Sequence, residues 1–153
     1  METTKKAYNH LLLVVDGFTK FVYLYPMKST NASAVIDCLE NQSSIFINPR
    51  RIITDRVAAL ISQVFKDYFT EDNIQHLLIA TGVPLGNGQV KRIYKIAVPL
   101  LAKLCNGNPM NWYRHVRRVQ MLINSNVPSN TQVSTFKPLT GVEMRLPDYP
   151  DLR

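Results

Sequence analysis

The sequence predicts an α/β fold with helices on both faces of a mixed sheet. Three observations lead there. After an opening hairpin, short apolar runs with β-branched and aromatic content alternate with segments of helical periodicity. The composition, 46% hydrophobic and 19% charged, suits a packed domain and excludes a disordered chain. With 153 residues, the chain can bury roughly 70% of its unfolded surface around a core that needs no staples. It reads as one domain over 1–153, with a tail over 127–153 that is mostly loop.

Residues 10–16 (HLLLVVD) form a short apolar run suited to a buried strand, and 21–26 (FVYLYP) form a second. Gly17, Phe18 and Thr19 turn one into the other. Ser29, Thr30 and Asn31 offer side-chain oxygens as helix caps. Ala32, Val35, Ile36 and Leu39 follow at helical spacing, which predicts an amphipathic helix over 31–43. Asn48-Pro49 breaks it. Residues 51–54 (RIIT) read as a short buried strand ending at Asp55. Ser62 caps a second helix with Val64, Phe65, Tyr68 and Phe69 on its apolar face, ending near Asp72 and Asn73. Residues 75–79 (QHLLI) give a further strand.

Residues 81–88 (TGVPLGNG) hold three glycines and a proline, which predicts a mobile loop. A long helix follows over 88–105. Val90, Ile93, Tyr94, Ala97, Leu100, Leu101 and Leu104 mark its buried stripe, and Pro99 inside it predicts a kink. Residues 106–108 make a turn, and Pro109 is placed as the first residue of the last helix. Trp112, Val116, Val119 and Ile123 recur at helical spacing and face the core.

The net charge of +7 favours an acidic partner, nucleic acid first. Arg50, Arg51 and Arg56 flank the strand ending at Asp55. Lys91, Arg92 and Lys95 cluster on one helix. Arg114, Arg117 and Arg118 project from the last helix, away from Trp112. Cys38 and Cys105 form no C-x-x-C pair and His10, His76 and His115 are scattered, which excludes a zinc module and a disulfide scaffold. Cysteine usage points to a reducing compartment. The polar, lysine-bearing start has no leader pattern, and no apolar run reaches the ~18 residues of a membrane span. A soluble, intracellular protein without a membrane partner is expected.

Four strings point one way: VVDGFTKFVYLYPMKST, RIITDR, GNGQVKRIYK and STFKPLTGVEMRLP. In order and spacing they resemble the integrase catalytic core of gypsy-class LTR retrotransposons, from about residue 10 to the end. The resemblance implies a ribonuclease-H-like fold, a five-stranded mixed sheet flanked by helices. It also implies a chemistry. Active relatives hold two Mg2+ ions on three carboxylates, and the ions clamp the attacking and leaving oxygens of a phosphodiester exchange.

Carried over position by position, that triad is incomplete. Asp55 matches the second aspartate. Lys91 stands at the glutamate position, with the family's thirty-five intervening residues (56–90) preserved. The resemblance puts the first aspartate on an earlier strand, which is expected to be missing here, and Asp16 lies in a string that resembles the second strand of the fold. Replacing a carboxylate by an ammonium changes the site by about two charge units. No two-metal catalysis and no metal cofactor are therefore expected, and Lys91 is expected to pair with Asp55. The family string TDRG-x-A-F reads TDRVAAL, with Val57 where a glycine would allow tight backbone geometry. The family's T-P-F reads TFKP, its proline displaced to Pro138.

What remains is a non-catalytic, integrase-derived module for dimerisation and partner binding, nuclear or else cytoplasmic. The alternatives are a residual non-specific DNA-binding protein and a truncated fragment of an active integrase. By resemblance Arg56, Lys91, Arg92 and Lys95 border a nucleic-acid path. Integrase cores self-associate through segments matching 31–43 and 109–124, so a homodimer is expected, with Tyr113, Arg117 and Met121 as interface residues. The missing strand leaves a gap that direct pairing, or a partner supplying a strand, would close.

Overall fold

The computed structural model describes residues 8–79, 84–126 and 133–144, with side chains in the long third helix described from Gly88 onward. Strands β1 (His10–Val15) and β2 (Val22–Met27) form a hairpin. The Asp16 N–H donates to the Phe21 carbonyl at 2.8 Å and the Asn9 N–H to the Met27 carbonyl at 3.1 Å, so the strands run antiparallel. The turn is held by its own side chains. Both the backbone N–H and the hydroxyl of Thr19 donate to the Asp16 carboxylate at 2.6 Å. Lys20 takes a left-handed φ of 65° and its ammonium donates to the Gly17 carbonyl.

Helix α1 (Ala32–Phe46) starts as the caps predict. Asn31 Oδ1 accepts the Ala34 N–H at 3.0 Å, and Ala32, Val35 and Leu39 are buried. It runs three residues past the predicted end, because nothing before Asn48-Pro49 opposes helix. Ile47, at φ 70°, closes it by donating to the Ser43 carbonyl at 2.9 Å.

Strands β3 (Arg51–Thr54) and β4 (Gln75–Leu78) pair in parallel, from Arg51 opposite Gln75 to Thr54 opposite Leu78. Helix α2 (Gln63–Glu71) supplies the crossover, with Ser62 Oγ accepting the Phe65 N–H at 3.4 Å. Its buried face is Phe65, Tyr68 and Phe69. Val64 departs from the prediction at 53% exposure. It lies about 100° around the helix from Phe65, outside the stripe. The RIIT strand is not buried either, since Ile53 is 53% exposed. Among the described residues β3 pairs on one edge only, with β4.

These strands form two two-stranded sheets, where the sequence predicts a single mixed one. No described strand bridges the hairpin and the parallel pair, and the two do not pair directly. The outer edge of β2 is covered by side chains. Helix α4 (Trp112–Ser125) places Asn124, fully buried, with Oδ1 accepting the Val22 N–H and Nδ2 donating to the Val22 carbonyl, both at 2.8 Å. Gln120 Oε1 accepts the Leu24 N–H at 2.8 Å. These two amides stand in for a neighbouring strand.

Helix α3 (Pro84–Leu104) begins inside the segment predicted as loop over 81–88. Pro84 sits in its first turn, where its fixed φ favours helix and its missing N–H costs nothing. The rest of that predicted loop up to residue 83 lies outside the described residues. Pro109 opens a short 3-10 turn (Pro109–Asn111) and not α4 itself, which begins at Trp112. Asn106 and Gly107 turn the chain there at φ 44° and 83°. Val116 and Val119 are buried, and Trp112 and Ile123 half-buried. Arg114 and Arg117 project as predicted, but Arg118 is half-buried with Nε and Nη2 shielded. It belongs to the helix row next to the buried one, where an arginine stem packs and only its tip seeks polar surroundings. Within the predicted tail, α5 (Phe136–Thr140) is helical. Residues 127–132 and 145–153 lie outside the described part.

Two compact units result. One comprises the described residues up to Leu12 together with Tyr25–Arg92. Its core is Met27, Val35, Leu39, Phe65, Tyr68, Phe69 and Ile74. The other comprises Leu13–Leu24 and the described residues from Ile93 onward. Its core is Leu13, Val22, Leu24, Ala97, Leu101, Val116 and Val119.

Candidate functional site

The parallel register of β3 and β4 determines where Asp55 emerges. Thr54, the last residue of β3, has its Oγ1 2.7 Å from Nε2 of His76 on β4. The His76 ring lies 4.4 Å from that of Phe69 and 5.8 Å from that of Phe65, and burial lowers its pKa. Asp55 follows as an exposed residue, with exposed Arg56 beside it. Val57 then has φ −73° and ψ 138°, ordinary extended backbone. The freedom that a glycine would give is therefore not needed at this position, because the chain makes no left-handed turn there.

Lys91, Arg92 and Lys95 lie on α3 and are all exposed, with Lys91 and Lys95 four residues apart on one face. The expected Lys91–Asp55 pair is not formed: among the described residues the ion pair present is Lys137–Glu143 at 3.1 Å. Both expected partners are solvated, and water competes successfully with an exposed pair. Asp16 spends its carboxylate on the hairpin turn and, with burial as the larger cause, helps push the Tyr23 hydroxyl up to about 12. Among the described residues no three of the histidines, cysteines and acids are placed to hold a metal ion. Beside Asp55 along the chain, the exposed Arg56 is a cation and supplies no further oxygen ligand.

Tyr113, Arg117 and Met121 follow one another at i, i+4 and i+8 along α4. Arg117 is exposed and the other two are half-buried. Arg114 lies over the Tyr113 ring at 5.9 Å, so this stripe carries an aromatic and a cation together. Asn124 escaped the sequence reading altogether. A helical asparagine one position past an apolar stripe carries no signal until the strand it serves is known.

Residues 1–84 match the family described as Integrase core domain. The Pro-Pol polyprotein of Simian foamy virus type 1 is 34% identical over 141 residues, covering 92% of this chain and 12% of the polyprotein. The Transposon Tf2-3 polyprotein of Schizosaccharomyces pombe is 31% identical over 133 residues, covering 86% of this chain and 10% of that one. The chain thus spans about an eighth or less of these relatives. Among solved structures, the HTLV-2 integrase catalytic core domain in complex with magnesium, in dimeric form, superposes with a TM-score of 0.66. It is 25% identical, with 82% of this chain and 81% of that one covered. The fold is therefore that of integrase catalytic cores, ribonuclease-H-like, and the chain belongs to the integrase core domain family.

Proposed function

We propose that this chain is a non-catalytic integrase core, a single domain over 1–153 that acts by binding a second copy of itself or another protein. The resemblance carries this: it sets Lys91 at the position of the family's metal-binding glutamate. An ammonium on α3 repels the dication that the site would need, and it takes the place of one of the hard oxygens that magnesium requires. Active relatives use Mg2+; this reading expects none here. The stripe of Tyr113, Arg117 and Met121 is read as the homodimer surface, in keeping with the dimeric form of the HTLV-2 core. A nuclear location and a retrotransposon origin followed by host adoption complete the reading.

The test is a strand-transfer and nuclease assay of the purified chain with Mg2+ or Mn2+, beside Asp55→Ala. No metal-dependent product is expected. Cleavage that Asp55→Ala abolishes would overturn the proposal and favour a fragment of an active integrase. Exposure of Arg56, Lys91, Arg92 and Lys95 supports a second reading, retained non-specific DNA binding. It predicts that alanine at the three α3 positions flattens the salt dependence of duplex binding by about 3 in log–log slope.

A further inference from the structure

At the other end of β3, about 16 Å from Asp55 by strand rise, the first unit has a cavity that the family resemblance leaves unused. The Arg50 carbonyl accepts the Gln75 N–H at 3.0 Å, and Asn73, at a left-handed φ of 53°, turns α2 into β4. This joint opens a cavity of about 440 Å3. Its floor is apolar, with Phe69 and Ile74 4% and 6% exposed. Its rim carries Arg50, Lys66, Asn73 and Gln75, with His76 also in the lining.

Three features define what fits. Among the described residues no carboxylate lines the cavity, and neither Arg50 nor Lys66 has an ion-pair partner. Gln75 Oε1 accepts from Arg51 Nε at 2.9 Å, which turns the amide NH2 of Gln75 away as a remaining donor. Thr70, also in the lining, spends its hydroxyl proton on the Lys66 carbonyl one turn back in α2, at 2.9 Å. The rim therefore offers donors and positive charge over an apolar floor, at a volume well above that of a lone phosphate and within the usual range of ligand pockets.

We propose that this cavity binds a nucleotide phosphate ester, with Arg50 and Lys66 holding the phosphate and Phe69 and Ile74 lying under the sugar or base. The phosphate meets the guanidinium fork of Arg50 and the point charge of Lys66. This site is independent of the α3 cations and of whether the chain is catalytic.

The experiment is a 15N NMR titration of the whole chain, following Asn73, Gln75 and His76, with adenosine monophosphate, adenosine, and an eight-nucleotide single strand. Saturable shifts are expected with the monophosphate and none with adenosine. Alanine at both Arg50 and Lys66 is expected to weaken binding about tenfold or more, while the charge-preserving Arg50→Lys with Lys66→Arg retains most of it. Alanine at Lys91 and Arg92 is expected to leave these shifts unchanged. A tighter response to the strand than to the monophosphate identifies polynucleotide as the source of the phosphate, and the reverse identifies free nucleotide. Equal shifts with adenosine, shifts that survive the double alanine variant, or no saturable shift with either phosphate ligand overturns the proposal.

Discussion

Asn124→Ala is expected to be the most damaging small substitution in the second unit. The side chain is fully buried and pairs with both polar groups of Val22, a residue only 1% exposed. Alanine leaves the Val22 N–H and carbonyl without partners and out of reach of water. Each such group costs about 1–3 kcal/mol, so the pair costs about 2–6 kcal/mol. The Thr135 hydroxyl loses its contact with Asn124 Oδ1 at 3.3 Å but keeps its bond to the Asn124 backbone carbonyl at 3.1 Å, so it stays satisfied. A domain of this size has about 5–15 kcal/mol in total, so a large fraction of its stability rests on one amide. Urea unfolding followed by circular dichroism measures it. With an m-value of about 2 kcal/mol/M, the midpoint falls by about 1–3 M. Asn124→Asp separates the two bonds, because it keeps an acceptor for the N–H but sets a carboxylate against the Val22 carbonyl. It is expected to be at least as damaging as alanine at neutral pH. A midpoint loss below about 0.3 M for Asn124→Ala would show that the amide does not substitute for a strand.

Two further outcomes follow from buried polar groups in the first unit. The Tyr68 hydroxyl is shielded and makes no well-formed hydrogen bond, and burial first, then the Asp72 and Glu40 charges and a weak approach to the Asp72 carboxylate, raise its pKa. Tyr68→Phe removes a buried, poorly satisfied hydroxyl and is expected to raise stability by up to about 1 kcal/mol, read as a higher urea midpoint; a lower midpoint would mean that its approach to Asp72 is a stabilising bond. Burial lowers the pKa of His76, so the folded state favours the neutral ring. The contribution is complete above the ordinary value of about 6.5 and is lost as pH falls from there through the lowered one. Urea midpoints at pH 7.5 and 5 should therefore converge in His76→Gln relative to the parent, and an unchanged pH slope would remove His76 as its source.

Several elements were legible because their causes are local. Asn31 and Ser62 cap the helices that their side-chain oxygens predict, and the RIIT and QHLL segments are strands where β-branched and apolar runs place them. The family resemblance rests on strings of residues, as does the lysine at position 91, and both are properties of order along the chain. The exposure of Ile53 and Val64 was not legible, because burial depends on what other segments bring to a face. The helical start at Pro84 was hidden by Gly86 and Gly88, whose weak local preference the rest of α3 overrides.

Sequence by itself determined the family and the alternation of elements, and it carried the expectation that Lys91 stands where the family has a glutamate. Tertiary structure alone decided that Lys91 does not close on Asp55, that Asn124 and Gln120 occupy the edge of β2, and that Arg50 and Lys66 rim one cavity sixteen positions apart in the chain. The physical reason is the range of the interactions. Capping, periodicity and charge identity are set within a few residues, whereas pairing of an amide with a strand 102 positions away, or convergence of two cations on one floor, exists only after the chain has packed.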